Sequence, residues 1–381
     1  MSAVGDVMQY MSKWEMVRLG DVAIITAGQG APQGEANYSN TGTPFIKAGN
    51  LYELINGSKE YCIQRVSEEV AKNHKLKLFP KGTVVFAKSG MSCMKGYIYE
   101  LMNPCYVVNH LACIALKNDL PRYLKYFLER KPPNLLIKDD SYPSISLSDV
   151  AEIQIPLPPL PIQQKIADVL DRANALIDKR KAQIEKLDLL VKSQFIEMFG
   201  DPVTNPMGWE RLSWNNLFNT TTGKLDSNAM VEGGIYPFFT CAKEIYQIDT
   251  YAFDCEALIL AGNNAAAIYD VKHYSGKFNA YQRTYVITLR GVNNSYNVFK
   301  VLLEQKLERM RDMSKGTNTK YLTLGILESF DFIVPPLALQ TQFAAFVERV
   351  EVQKARMKQG LELMELEYKS LMQKCFYGEL Y

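Results

Sequence analysis

Between residues 160 and 199 apolar positions recur every three or four residues: Ile166, Val169, Leu170, Ala173, Leu176, Ile177, Ile184, Leu187, Leu190, Val191 and Met198. That spacing puts one apolar stripe on a helix, sustained long enough to predict a coiled-coil seam. A second stripe near the end of the chain comprises Phe343, Phe346, Val347, Val350, Met357, Leu361, Met364, Tyr368 and Leu371. Each predicted helix is roughly 55–60 Å long at 1.5 Å per residue. Pro161 suits a first helical turn, and Gly200 and Gly378 stand as terminators just past the last apolar residues. The matched lengths and ends predict two helices lying side by side.

The resemblance between the stripes extends beyond periodicity. Pro158-Pro159-Leu160 and Pro335-Pro336-Leu337 stand 177 residues apart, and the same offset pairs Gln163 with Gln340, Arg172 with Arg349 and Phe199 with Phe376. It also pairs "SISLSDVAEIQI" from Ser144 with "YLTLGILESFDF" from Tyr321. A second offset, 195, matches Gly5-Asp6 and Trp14-Glu15 to Gly200-Asp201 and Trp209-Glu210. An internal repeat of this kind sets the architecture. The chain reads as globular region, helix, globular region, helix, with approximate twofold symmetry.

Both globular regions are strand-rich and punctuated by Gly, Asn and Pro turns, as in "GTVVFAKSG", "CYVVNHLACIAL", "EALILAGNN" and "RTYVITLRG". Helices are predicted at "LPRYLKYFLERK" and "SYNVFKVLLEQKLERMRDM". The expected fold is therefore mixed α/β, with domains at 1–152, 153–208 (helix and linker), 209–330 and 331–381. The two globular regions diverge far more than the helices, so recognition residues are expected in their loops.

Composition adds exclusions more than identity. The 381 residues carry a formal net charge of +2, too little to announce a nucleic-acid partner. Residues 14–150 hold 16 Lys and Arg against 13 Asp and Glu, and residues 209–334 hold 13 of each. No apolar run reaches the roughly 20 residues that span a bilayer. The start of the chain lacks a secretory pattern, so a cytoplasmic location without membrane contact is expected. The seven cysteines form no CxxC pair and the three histidines no zinc-spaced cluster, so the thiols are expected reduced and mostly buried.

The Pro-Pro-Leu-x-x-Gln motif, the long helix ending "FGD" or "FYGEL", the Trp-Glu entry and the doubled arrangement resemble the specificity subunit of a type I restriction-modification system. The resemblance covers nearly the whole chain. It implies two target-recognition domains that each read half of a split double-stranded DNA sequence. It also implies an antiparallel coiled coil that separates them and docks two methyltransferase subunits, with restriction and translocase subunits joining through the complex. S-adenosylmethionine, ATP and magnesium would then belong to those partners, with no cofactor, metal or catalytic residue in this chain.

Base edges in the major groove are read by Asn, Gln, Arg and Lys. The expected DNA contacts are Lys47, Asn50, Lys88, Ser89, Asn109, Ser141 and Tyr142 in the first domain. In the second they are Thr240, Lys243, Asn263, Asn264, Gln282, Thr317, Asn318 and Lys320. The basic stretch "KNHKLKLFPKG" from Lys72 suits phosphates or a solvated face. Gln163, Lys165 and Gln340 are expected on outer helix faces, contacting the methyltransferase.

Enzyme readings find little purchase. "GQGAPQG" has the wrong spacing for a dinucleotide loop and reads as a flexible loop; "NPCY" lacks the second proline of an adenine methyltransferase motif; no GxxxxGK[ST] exists. His74, His110 and His273 have no local nucleophile signature. The rival from another class is a coiled-coil adaptor whose two domains bind peptides or glycans. Near-identical scaffolds with unlike loops suit two half-sites better than two copies of one peptide site.

Overall fold

The computed structural model describes residues 13–265, 267–291 and 294–381, so Gly5 and Asp6 of the 195-residue match lie outside the described residues. Contacts gather into two compact units, Met1–Lys179 with Leu361–Tyr381, and Arg180–Gly360. The helices Leu160–Phe199 and Leu337–Tyr377 each contribute to both. Both helices end where the glycines stand. Gly200 and Gly378 each have φ +75°, the left-handed conformation that stops a helix and that a Cβ disfavours.

In the first unit Ala23–Ala27, Leu111–Leu116, Val84–Ala87 and Ile98–Glu100 form an antiparallel sheet in that order. Beside it, Thr43–Ile46 pairs parallel with Tyr106–Val107 and antiparallel with Arg65–Val66. The "CYVVNHLACIAL" run thus becomes two strands, broken at Asn109 and His110. The helix Pro121–Arg130 buries Tyr123, Leu124, Tyr126, Phe127 and Leu128. Its Tyr123 and Phe127 rings lie 5.1 and 5.5 Å from Phe376 near the end of the second long helix. Ile166, Leu170, Met372 and Cys375 join this core. Between the helices, Asn174 Nδ2 donates to the Tyr368 hydroxyl at 2.9 Å.

The second unit holds one six-stranded sheet, ordered Phe218–Thr222, Thr284–Leu289, Phe253–Ala261, Val271–Ala280, Tyr236–Phe239, Tyr246–Ile248. Phe238 and Phe239 pair parallel with Asn279 and Ala280; the other pairings are antiparallel. The helix Tyr296–Met313 buries Val298, Phe299, Val301, Leu302, Leu303 and Met310. The helices meet here through Phe343, whose ring is 5.5 Å from both Phe195 and Phe199, and through the ion pair of Lys354 with Asp188. Such aromatic clusters dominate core energetics.

In each unit a two-stranded antiparallel ladder precedes a long helix, Met16–Arg18 with Gln154–Pro156 and Glu210–Ser213 with Asp331–Val334. The second strand of each is preceded by a short helix capped by a hydroxyl, Leu147–Ala151 or Leu324–Glu328. Ser146 Oγ accepts from Asp149 N at 3.0 Å, and Thr323 Oγ1 from Ile326 N at 3.3 Å. The seam expected from the sequence needs one correction: Leu176 and Leu190 are 56% and 45% exposed, because helix drift carries them off the buried stripe. All seven cysteines are free, with Cys93, Cys105, Cys113 and Cys375 buried. Burial pushes the thiol of Cys113 up to about 12 and that of Cys375 to about 11. Among the described residues no helix is long and apolar enough to cross a membrane.

Candidate nucleic-acid interface

At one end of the first unit's sheet, four backbone segments converge on the break between Val107 and Leu111. Val108 N donates to Ile46 O, Asn109 N to Gln29 O, Gly28 N to Leu111 O, and Lys88 N to His110 O, at 2.9, 2.9, 3.1 and 2.9 Å. Ile145 N then donates to Lys88 O at 2.8 Å, bringing in the segment after Tyr142. These main-chain bonds set the path of the break. Gly28 packs so closely that a Cβ would sit 2.2 Å from the Val107 and Val108 carbonyl oxygens. The "GQGAPQG" stretch therefore starts as a packed crossing, which corrects its reading as a flexible loop.

This convergence gathers Lys47, Lys88, Ser89 and Asn109, with Ser141 and Tyr142 on the adjoining turn. Tyr142 is 83% exposed. Ser89 Oγ lies 2.7 Å from His110 Nδ1, and Lys47 Nζ bonds Gln64 Oε1 at 2.8 Å. Gln29 also holds the basic stretch here: its Nε2 donates to Lys75 O at 2.9 Å and its Oε1 accepts from Lys77 N, so exposed Lys75 and Lys77 flank Asn109. Asn50 does something else. Its Oδ1 accepts from Lys47 N at 2.9 Å, shaping the turn into the helix Asn50–Ile55.

The second unit repeats this construction with other residues. Tyr281 N donates to Phe239 O, Gln282 N to Leu225 O, Gly223 N to Thr284 O, and Gly262 N to Arg283 O, at 2.9, 2.9, 3.3 and 2.9 Å. Leu322 N donates to Gly262 O at 2.8 Å. Gly223 corresponds to Gly28: a Cβ would fall 1.8 Å from Ala280 O. Asn263 and Asn264 pair with Tyr321 and Lys320, so Asn263, Asn264, Gln282 and Lys320 come together. Thr317 and Asn318 are exposed on the turn after Gly316, which is left-handed at φ +99°. Lys243 is exposed. Thr240 is only 6% exposed and its Oγ1 accepts from Ala242 N at 3.1 Å; it closes a turn and is withdrawn from solvent, contrary to its expected role as a contact. Gln282, Arg283, Tyr285 and Tyr321 border a pocket of about 300 Å³.

Residues 11–187 and 206–365 match the family described as the type I restriction modification DNA specificity domain. The chain belongs to that family. It is 34% identical over 179 residues to the EcoDI specificity subunit of Escherichia coli, a match spanning 46% of this chain and 39% of that subunit. Identity to the MjaIX specificity subunit of Methanocaldococcus jannaschii is 24%, over 98% of this chain and 95% of the other. The fold is similar to the crystal structure of a type I restriction-modification S subunit from M. genitalium, with a TM-score of 0.57, 14% identity and 98% of each chain covered.

For a specificity subunit, the proline-glutamine motif has an unexpected placement. Gln163 and Gln340 are 0% and 1% exposed, so neither lies on an outer helix face as the sequence suggests. Gln163 Oε1 accepts from Leu120 N at 3.1 Å, while its Nε2 donates to Asp119 Oδ1 at 2.8 Å and Pro158 O at 2.9 Å. Gln340 Oε1 accepts from Ser295 N at 2.8 Å, and its Nε2 donates to Asn294 Oδ1 at 3.1 Å and Pro335 O at 2.8 Å. Each amide thus clamps a long helix to the loop that opens its unit's own helix, Pro121–Arg130 or Tyr296–Met313. With its hydrogen-bonding capacity spent inward, a buried carboxamide has nothing to offer a docking protein. Lys165 alone of the three is exposed.

The "NPCY" motif is likewise internal. Asn103 Nδ2 and Tyr99 Oη donate to the buried Glu60 carboxylate at 2.8 and 3.1 Å, and Cys105 is wholly buried. His273 is stacked on Tyr296 and lies 2.8 Å from Glu256 Oε1. Among the described residues no group of three or more His, Cys, Asp or Glu could hold a metal ion. Two exposed residues outside the expected contacts, His110 and Arg283, stand beside Asn109 and Gln282; a lone histidine carries no turn signal, and Arg283 sits just before a strand.

Proposed function

We propose that this specificity subunit reads a bipartite double-stranded DNA target, one half through the loops gathered at Asn109 and the other through those at Gln282. The observation that carries this reading is the same set of backbone hydrogen bonds in both units bearing unlike side chains. A common scaffold with exchanged readers is what two different half-sites require. The contact set is Lys47, Lys88, Ser89, Asn109, Ser141 and Tyr142 for one half, and Lys243, Asn263, Asn264, Gln282, Thr317, Asn318 and Lys320 for the other.

The long helices act in this reading as an antiparallel coiled coil and ruler. Support comes from the pairs Asn174 with Tyr368, Asp188 with Lys354 and Phe199 with Phe343: advancing 14 and then 11 residues on one helix retreats 14 and then 11 on the other. With the 177-residue sequence repeat, this register suits a pseudo-twofold chain with domains at 1–152, 153–208, 209–330 and 331–381. The helices' exposed faces, including Lys165, would dock two methyltransferase subunits in the cytoplasm, and those partners would bind S-adenosylmethionine. A stiff spacer fixes half-site separation, since one added base pair both shifts and rotates one half against the other.

Selection from a randomised duplex library, using the chain co-purified with its methyltransferase, tests this. Two fixed half-sites around an unread gap of constant length are expected; a single contiguous motif, or none, contradicts the reading.

A further inference from the structure

The breaks Asn109-His110 and Gln282-Arg283 occupy the same structural position. Each follows a short parallel pairing, Tyr106–Val107 on Thr43–Ile46 or Asn279-Ala280 on Phe238-Phe239. Each precedes a strand running through the sheet, Leu111–Leu116 or Thr284–Leu289. The backbone N–H of the first residue and the C=O of the second are bonded to equivalent segments in both units. A further bond, Leu111 N to Val108 O at 3.0 Å or Thr284 N to Tyr281 O at 2.8 Å, closes each turn. The segments "VNHL" and "YQRT" share no residue, so no side chain is needed to make the turn.

All four side chains of the two dipeptides are exposed. Their chemistry is nevertheless matched: a carboxamide first, a nitrogen donor second. Carboxamides pair bidentately with adenine N6 and N7, and arginine pairs with guanine O6 and N7. His110 is exposed and held through Nδ1 by Ser89 Oγ at 2.7 Å, so Nε2 is the ring nitrogen left to meet a base. When the serine hydroxyl donates, the neutral ring carries its proton on Nε2 and presents a donor for a guanine edge. Arg283 borders the pocket of about 300 Å³ together with Gln282, Tyr285 and Tyr321, while its own carbonyl is pinned by Gly262 N and Cys241 Sγ at 2.9 and 3.4 Å. A backbone held in place beneath an exposed side chain fixes where that side chain meets a base edge.

We propose that these dipeptides are the specificity-determining pair of each half-site. Asn109 and Gln282 read an adenine, and His110 and Arg283 read an adjacent guanine. The proposal rests on the bipartite reading above and adds which residues choose the bases.

The test is truncation of each pair in the full chain within its methyltransferase complex, with the selected motif and the cellular methylation motif read out together. Asn109→Ala with His110→Ala should relax the choice of an adenine and the adjacent guanine in one half-site, leaving the other half-site and the gap unchanged. Gln282→Ala with Arg283→Ala should lower discrimination at one or two positions of the opposite half-site by on the order of 10- to 100-fold. Weaker binding to all sequences alike would assign these side chains to phosphates and overturn the proposal, as would an unchanged motif. A wild-type complex that selects no split sequence would instead overturn the bipartite reading itself. Melting temperatures close to wild type, expected for exposed side chains, keep the comparison one of recognition.

Discussion

Gln163 and Gln340 show how one buried amide can tie an element to a domain. Each accepts from the N–H of a helix-opening residue and donates to a side chain beside it, Asp119 in one case and Asn294 in the other. Truncation would leave the Leu120 or Ser295 N–H buried and unpaired, which costs about 1–3 kcal/mol. Gln163→Ala should therefore lower the urea midpoint for its unit while Asp119→Asn, which copies the second clamp's chemistry, should leave it nearly unchanged. Equal losses from both variants would show that the carboxylate's charge, not the amide geometry, holds the joint. Neither clamp was legible in the sequence. A glutamine in the first turn of a helix reads as solvated unless its partner, 43 or 45 residues earlier, is known. The same limit hid the turns at Asn109 and Gln282, whose matching hydrogen bonds are main-chain and leave no residue signature.

At the scale of elements, the sequence was far more informative. The strands in "GTVVFAKSG" and "EALILAGNN", the helices Pro121–Arg130 and Tyr296–Met313, and both long helices with their glycine stops all occur where periodicity and turn residues place them. Local patterns suffice because each element's burial is set by a period of two or 3.6. They failed at Leu176 and Leu190, where a straight reading of three-four spacing ignores the drift of an α-helix against a seven-residue repeat. For the ruler reading, length is the testable property. Inserting four residues at the same level of both long helices adds about 6 Å. The selected gap should then lengthen by about two base pairs at 3.4 Å each, with half-sites unchanged. An unchanged gap in a folded variant would contradict the ruler.

For the molecule as a whole, bulk charge says little, since 43 basic residues face 41 acidic ones. What points to DNA is placement. Lys75, Lys77 and Lys88 lie around one turn and Lys320 beside the other, where they can anchor a phosphate backbone beside the base-reading side chains. Family membership and two loop clusters built on one backbone plan agree on a protein that supplies DNA sequence choice. The most direct test is to map adenine methylation across the genome in cells with and without this chain. Its removal should abolish methylation at one bipartite motif, whose two halves are those selected in vitro, and leave all other methylated motifs intact. Methylation at that split motif persisting without the chain would contradict the account.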